Sequence, residues 1–177
     1  MSKVDEMKQG NIMRNIGIEK VTLNIGAGKN PEKLDKGVKL IATISGKKPI
    51  KTITNKRIPS WGLRPALPIG CKVTVRKNDA VVLLKRLVEA VEKKLKDSQF
   101  DNEGNISFGV TEYINVPGVK YDPDIGLMGF QVCITLERKG FRVKRRKLLT
   151  KKIAKSHKIT KSEAIQFMKD NYQVSVE

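Results

Sequence analysis

The sequence is poor in the residues from which catalytic and metal sites are usually built. It contains one histidine, His157, and two cysteines, Cys71 and Cys133, among 177 residues. A histidine-based catalytic triad would have to use His157, and a zinc site needs several histidine or cysteine ligands. We therefore expect no metal, no cofactor and no enzymatic activity. Each cysteine lies in an alternating apolar run, which predicts two buried, reduced thiols rather than a disulfide.

Long apolar runs are missing as well. No stretch approaches the roughly 18 apolar residues that are needed to cross a bilayer. The first residues, MSKVDEMKQGN, lack the apolar core of a secretory signal. We therefore expect a cytoplasmic protein that does not enter a membrane.

Acidic residues are scarce relative to basic ones. Lys and Arg number 36 against 18 Asp and Glu, so the formal net charge is +18 at pH 7. Such an excess causes self-repulsion in a compact fold unless a polyanion neutralises it. Nucleic acid is the first candidate partner, and an anionic membrane surface is the second.

The apolar residues that are present suffice for a folded core, since they make up 39% of the chain. Asn30 and Pro31 begin a predicted helix that ends at Gly46, and Asn78 begins a second one whose apolar spacing reaches Leu95. Three segments alternate apolar and polar residues, which is typical of half-buried strands; they are IEKVTLNIG, GCKVTVR and FQVCITLER. We predict an α+β fold, a mostly antiparallel sheet with helices packed on one face.

The composition changes after residue 141. Residues 142–158, the basic segment, contain nine Lys or Arg in seventeen residues and no acid. The segment is predicted either to contact a polyanion or to be a solvated tail. Thr160 and Glu163 form a capping box that predicts a short final helix. We divide the chain into an α+β domain over residues 1–141 and a basic extension over residues 142–177.

Two short motifs are better explained as turns than as ligand sites. In NIGAGKN, only Gly26 and Gly28 remain of a phosphate-binding fingerprint, and the Gly-Lys-Ser/Thr ending is absent. The carboxylates of Asp122 and Asp124 flank a proline, which is ordinary turn chemistry.

The alternation of the strands predicts a sheet face opposite the helices, which we call the polar face. Its side chains offer hydroxyl, amide and cationic groups, suited to phosphates, 2′-hydroxyls and base edges. The alternative is an ordinary solvated sheet face. Few aromatics lie in the strands, so recognition of shape and backbone is favoured over base stacking. The face consists of Thr22, Asn24, Lys72, Thr74, Arg76, Gln131 and Thr135.

The only tryptophan, Trp61, lies in a segment rich in proline and glycine, residues 55–68, which we call the tryptophan loop. Proline and glycine at this density predict a protruding loop. Arg57 and Arg64 flank the indole and could attract phosphates. Either Trp61 is exposed for stacking, or it folds back onto the sheet as a plug.

Four motifs together carry a resemblance to a known family. They are IEKVTLNIGAG, ISGKKP, GLRPALPIGCKVTVR and FGVTEYINVPGVKYDPDIGLMGFQV, in that order. Over about residues 13–140 the chain resembles the large-subunit ribosomal protein five family, which binds 5S rRNA in the central protuberance. The segment KYDPDIGLMG and the predicted helix HKITKSEAIQFM resemble the sequences of the archaeal and eukaryotic branch.

The resemblance implies a structural protein of the cytoplasmic ribosome that binds 5S rRNA and helps attach it to the large-subunit rRNA. It implies further contacts with neighbouring large-subunit proteins of the 5S particle, and a loop directed at the tRNA in the peptidyl site. The 5S rRNA-facing residues that it assigns are Asn24, Lys47, Thr74 and Arg76. Lys47 stands where the family frequently has glutamine.

Neighbouring residues complete the predicted surface. On the polar face, Thr22 and Lys72 are expected to join the 5S rRNA contacts. The expected tRNA-contacting residues are Arg57, Ser60, Trp61, Gly62, Leu63 and Arg64, although WG stands where bacterial relatives usually have GF. Charge predicts additional rRNA contacts at Arg142, Lys144, Arg145, Arg146, Lys147, Lys151 and Lys152. Two other classes stay open, an RNA-modification factor and a general basic DNA-compacting protein.

Overall fold

The computed structural model describes residues 11–176, in which the alternating segments form a five-stranded antiparallel sheet. The strands are β1 (Ile16–Gly26), β2 (Ile50–Ile53), β3 (Pro68–Arg76), β5 (Asn105–Val110) and β6 (Phe130–Arg138). Their order in the sheet is β2-β3-β1-β6-β5. Two short strands, β4 (Lys94–Leu95) and β7 (Ser175–Val176), form a separate parallel pair. Most of MSKVDEMKQGN, on which the expectation of no secretory signal rests, lies outside the described residues.

The strand register confirms the predicted division into two faces. Val21 of β1 lies opposite Val75 of β3 and Ile134 of β6, and all three side chains are buried. The next residue along β1, Thr22, lies opposite Thr74 and points away from that core. Since side chains alternate along a strand, the register of these pairs fixes which side chains of neighbouring strands share a face of the sheet.

The first helix, α1 (Pro31–Ser45), begins and ends where the sequence predicts. The Asn30 carboxamide accepts hydrogen bonds from the backbone N–H groups of Glu32 and Lys33, at 2.9 and 3.3 Å. Gly46 ends the helix in the left-handed conformation, with φ at 64°. Gly37 lets α1 approach the apolar face closely, because a Cβ there would lie 3.2 Å from Ile25 Cγ2.

The second helix, α2 (Lys77–Glu89), differs from the prediction at both ends. It follows β3 directly, so Arg76 occupies the capping position and Asn78 does not cap it. It ends at Glu89 because the backbone turns through positive φ values at residues 92 and 93. Leu95, which the periodicity places on this helix, is instead buried in β4.

The C-terminal part of the chain packs on the same core. One helical turn, α3 (Arg142–Arg145), opens the basic segment, and α4 (Lys161–Tyr172) carries the predicted Thr160–Glu163 capping box. The division at residue 141 stays a prediction, although buried side chains from beyond it contribute to the core. They are Ile159, Ala164, Met168 and Val174.

The two cysteines occupy opposite faces of the sheet. Cys71 is buried as predicted, and burial raises the pKa of its thiol, although the charge of Lys51 opposes the shift. Cys133 is only half-buried, because it lies opposite Thr22 and Ser107 on the polar face. The prediction of two buried thiols is therefore wrong for Cys133. Both thiols are free.

Both short motifs form turns, as predicted. The backbone N–H groups of Ala27 and Gly28 donate to the carbonyl of Ile69, at 2.9 and 3.1 Å, so they are not available to cradle a phosphate. The Asp122 carboxylate accepts a hydrogen bond from the Asp124 backbone N–H at 3.0 Å. Within residues 11–176, no three His, Cys, Asp or Glu side chains are grouped to hold a metal. None of the helices in that range is long and apolar enough to cross a membrane.

Candidate nucleic-acid interface

The sheet brings the predicted polar side chains together on adjacent strands. Thr22 and Asn24 of β1 lie opposite Thr74 and Lys72 of β3, and the two threonine hydroxyl oxygens are 3.5 Å apart. On the other side of β1, Gln131 lies opposite Asn24, and Thr135 lies opposite Lys20. The polar face is therefore a continuous surface across three strands. Its donors and acceptors suit a polyanion with a sugar-phosphate backbone.

Arg76 ends this surface and is held by a carboxylate that the strand pattern does not predict. The register of β1 shifts between Ile18 and Lys20, so Glu19 occupies a β-bulge. A bulge places two successive side chains on nearly the same side of a sheet. Glu19 Oε1 lies 3.0 Å from Arg76 Nη1 and 2.6 Å from Arg145 Nη1, and the Glu19 side chain is 11% exposed.

The same carboxylates join the basic segment to the sheet. Arg145 reaches Glu19 with one guanidinium nitrogen and Glu137 of β6 with the other. Its position beside the polar face is therefore set by ion pairs that bridge α3, β1 and β6. The signal in the sequence was the adjacent charged pair Glu19-Lys20, which interrupts the alternation of β1.

Lys47 is the assigned residue that the structure does not bring into the polar face. It follows α1, and its Nζ lies 2.7 Å from Asp79 Oδ2 near the start of α2. The hydrogen bond from Lys47, together with its charge, lowers the pKa of the Asp79 carboxyl. Lys47 therefore joins the ends of two helices, while Thr22, Asn24, Lys72, Thr74 and Arg76 lie on the strands.

The tryptophan loop is closed at its base and exposes its indole. Thr54 and Leu67 are joined by a backbone hydrogen bond of 2.9 Å, and Ile58 pairs with Leu63 across a turn. Gly62 takes a positive φ of 61° at the end of this turn. Trp61 is 66% exposed, so it does not fold back as a plug.

One predicted contact residue of the loop has a different role. The Leu63 side chain is 7% exposed, because the Ile58–Leu63 bridge turns it towards the protein interior. It anchors the loop and does not present a side chain to a partner. The remaining predicted residues of the loop are exposed; they are Arg57, Ser60, Gly62 and Arg64.

The basic segment is compact and keeps most of its charges in solvent. Arg146 Nε donates to the carbonyl of Leu149 at 2.8 Å, and the Thr150 hydroxyl donates to the carbonyl of Arg146 at 2.6 Å. These bonds fold residues 146–150 into a turn. The exposed predicted residues are Arg142, Lys144, Arg145, Arg146, Lys147, Lys151 and Lys152.

Comparison with known families shows to which family this cationic α+β chain belongs. Residues 11–64 match the family described as "Ribosomal protein L5", and residues 68–167 match the separate description of the C-terminus of the same ribosomal family. The chain belongs to the ribosomal protein L5 family. The match continues well into the basic extension, beyond the motifs that carry the resemblance in the sequence.

Curated relatives of nearly full length agree with this assignment. "Large ribosomal subunit protein uL5" of Sulfolobus acidocaldarius is 44% identical over 173 residues, which are 98% of this chain and 97% of that protein. The protein of the same name from Methanosphaera stadtmanae is 43% identical over 94% of this chain and 99% of its own length. The one from Nanoarchaeum equitans is 46% identical over 93% and 97%, respectively. These archaeal relatives confirm the predicted branch of the family.

Family membership also confirms two predictions about the kind of protein. The L5 relatives are structural ribosomal proteins and not enzymes, so the prediction of a non-enzymatic protein holds. The predicted location, the cytoplasmic ribosome, follows from the same match.

Proposed function

We propose that the polar face binds 5S rRNA and so helps attach it to the large-subunit rRNA in the central protuberance. As a member of the L5 family, the chain is a structural constituent of the large ribosomal subunit. The proposal concerns the surface that it uses there. Neighbouring large-subunit proteins of the 5S particle would contact other parts of the chain.

One observation carries the proposal. Asn24, Thr74 and Arg76, which the family resemblance assigns to RNA, lie on one face of the sheet, opposite the packed helices. Their amide, hydroxyl and guanidinium groups match base edges, 2′-hydroxyls and phosphates. A guanidinium has five N–H donors, so Arg76 keeps donors for a phosphate while Glu19 fixes its orientation.

Substitution of Arg76 tests the proposal. Arg76→Ala should weaken 5S rRNA binding by about 1–3 kcal/mol, because it removes a charge-assisted hydrogen-bond donor. Filter binding at fixed salt measures the effect. Arg57→Ala is the matched control, since it removes the same charge from the exposed tryptophan loop. Equal affinities of the two variants, with folding unchanged by circular dichroism, would contradict the assignment. Equal affinity of the wild type for duplex DNA would favour the DNA-compacting alternative.

The tryptophan loop supports a second contact, with tRNA in the peptidyl site. The exposure of Trp61 beside Arg57 and Arg64 gives the loop an aromatic ring for stacking and cations for phosphates. Its prolines limit the conformations that the loop samples in the free protein and so lower the entropy lost on binding.

Substitutions of Trp61 and Leu63 distinguish the proposed tRNA contact from the packing that holds the loop in place. Trp61→Ala should leave the free energy of unfolding nearly unchanged and weaken peptidyl-site tRNA binding to reconstituted ribosomes. Leu63→Ala should destabilise the protein by about 2 kcal/mol, because it empties a buried site. As the only tryptophan, Trp61 should emit at the long wavelength of an exposed indole in the free protein. Unchanged tRNA affinity of Trp61→Ala ribosomes would exclude the contact.

A further inference from the structure

A recess beside the basic segment lies apart from the polar face and the tryptophan loop, and three of the lysines predicted to contact rRNA line it; they are Lys144, Lys151 and Lys152. It has a volume of about 760 Å³ and lies where residues 150–155 pass over Phe141, Lys144 and Ile159. Gly104 packs closely against Ile159 of the lining, because a Cβ there would lie 2.7 Å from Ile159 Cγ2. The backbone of Gly104 has a positive φ of 79°, so glycine serves both the turn and the close approach.

Part of the lining is apolar and held in place. The Phe141 ring is half-buried and lies 5.8 Å from the His157 ring, tilted by 58°. His157 Nε2 is in turn 3.0 Å from the Lys139 carbonyl oxygen. Ile159 is almost fully buried at 1% exposure, and Ile153 is half-buried. The recess therefore offers an aromatic ring whose orientation is fixed by its neighbours.

The rest of the lining is strongly cationic. Lys158 Nζ lies 2.5 Å from Glu103 Oε1, which neutralises that one lysine. Four further lysines line the recess, and within residues 11–176 their ammonium groups make no ion pair or side-chain hydrogen bond. They are Lys144, Lys151, Lys152 and Lys155. The arrangement favours a ligand that brings phosphates together with a flat apolar ring.

We propose that this recess binds a single unpaired nucleotide of RNA, with its base against Phe141 and its phosphates among the lysines. The volume lies within the range of about 300–1,000 Å³ that is usual for small-ligand sites. A base-paired nucleotide would first have to leave its helix, which costs free energy. Proteins commonly hold unstacked RNA bases on aromatic side chains. This inference rests on the proposed RNA-binding function, and it specifies an unpaired nucleotide as the part of the RNA that occupies the recess.

Substitution of Phe141 in the full chain tests the recess. The probe is a short single-stranded RNA that carries 2-aminopurine, whose fluorescence falls when its base stacks. Phe141→Leu keeps apolar volume and removes the ring, so affinity for the probe should fall about fivefold or more. Phe141→Tyr should restore both affinity and quenching. Phe167→Leu is the matched control, since Phe167 is another half-buried ring in a tilted aromatic pair, with Tyr172, outside the recess.

The outcomes are distinct. Equal probe affinities for Phe141→Leu and Phe167→Leu, with similar melting temperatures, would overturn the recess proposal. Equal competition by polyglutamate would show that charge alone acts there, and binding of free AMP as tight as that of the probe would assign a free nucleotide instead. A blunt RNA duplex of the same length should compete poorly. Binding of 5S rRNA, measured alongside, reports separately whether the polar-face proposal fails.

Discussion

Arg138 shows how a single residue ties the basic extension to the sheet. Its side chain is 4% exposed at the end of β6, and its Nη2 lies 2.6 Å from Glu163 Oε1 of α4. Its other terminal nitrogen donates to the carbonyls of His157 and Lys158, each at 3.4 Å. A buried charge without such partners would be strongly destabilising.

Glu163 carries the pH dependence of this contact. Burial alone raises the pKa of the Glu163 carboxyl, but bonds from the Thr160 backbone N–H and Arg138 outweigh it and lower the pKa below its ordinary value. A lowered folded-state pKa stabilises the fold above the unfolded pKa, and this stability is lost as the pH falls through the folded pKa.

We therefore expect Glu163→Gln to destabilise the protein by about 1–3 kcal/mol at pH 7, because Arg138 loses its counter-charge. The difference from the wild type should shrink below about pH 4, where the unfolded carboxylate is itself protonated. Urea unfolding at several pH values measures both effects. Glu103→Gln, which removes an exposed carboxylate paired with Lys158, should change stability little at any pH. A pH-independent cost of Glu163→Gln would contradict the assignment.

Among the elements, β3 has a glycine that its packing requires. At Gly70 a Cβ would lie 2.6 Å from the Ile25 backbone carbonyl oxygen and 3.0 Å from Thr52 Oγ1. Gly70 pairs with Gly26 of β1 and Thr52 of β2, so it holds the sheet together directly beside the tryptophan loop. Backbone atoms cannot move aside as the end of a side chain can.

Gly70→Ala should therefore destabilise the sheet by about 1–3 kcal/mol, the usual cost of overpacking. Gly109 in β5 is the matched control, because a Cβ there would meet nothing within 4 Å. Gly109→Ala should stay within about 0.5 kcal/mol of the wild type. Thermal or urea unfolding of the two variants measures the contrast. A Gly70→Ala variant as stable as Gly109→Ala would show that the backbone of β1 can move away from β3 at Ile25 without loss of stability.

Local sequence patterns explain which strand faces and helix ends could be predicted. Alternation placed Thr74 and Arg76 on the polar face, and capping residues placed the start of α1 at Asn30 and of α4 at Thr160. These depend on neighbouring residues only. The end of α2 was not predictable, because Leu95 continues the helical spacing while its burial comes from pairing with a distant strand, β7.

The candidate site shows the same limit. The exposure of Trp61 could be argued from its prolines, whereas the burial of Leu63 depends on its bridge to Ile58. Likewise, the carboxylate of Glu19 reaches Arg76 and Arg145 only because a bulge forms between β1 and β6. The burial of Leu63 and the contacts of Glu19 depend on pairing between separate segments. The periodicity within one segment does not predict such pairing.

For the whole molecule, the net charge of +18 is distributed over surfaces with different roles. Removal of the basic extension would not isolate its charge, because Ile159, Met168 and Val174 belong to the core. Substitutions that keep the chain intact are the appropriate test. Equal numbers of exposed lysines can be replaced in the basic segment and on the side of the sheet that the helices cover, so that both variants lose the same charge.

Lys147, Lys151 and Lys152 replaced together by Gln should make rRNA binding less dependent on salt. Each lost phosphate contact should lower the slope of log affinity against log salt by about 0.7 on single strands. The control replaces three exposed lysines on the helical side, Lys36, Lys39 and Lys85, and also lowers the net charge by three. Its slope should match that of the wild type. Equal slopes for the two triple variants would make the basic segment a solvated surface.

The β4–β7 pair has a consequence for biosynthesis. Val176 pairs with Leu95, so residues translated after all strands of the main sheet complete a core that β1 begins. At the usual rate of about 5–20 residues per second, residues 142–176 follow the finished sheet strands by a delay on the order of seconds. During that delay the strands of the main sheet have been synthesised, but the residues that fill one side of the core, Ile159, Met168 and Val174, have not. A nascent chain of this kind therefore presents apolar surface and uncompensated positive charge together, beside the RNA of the ribosome that is making it.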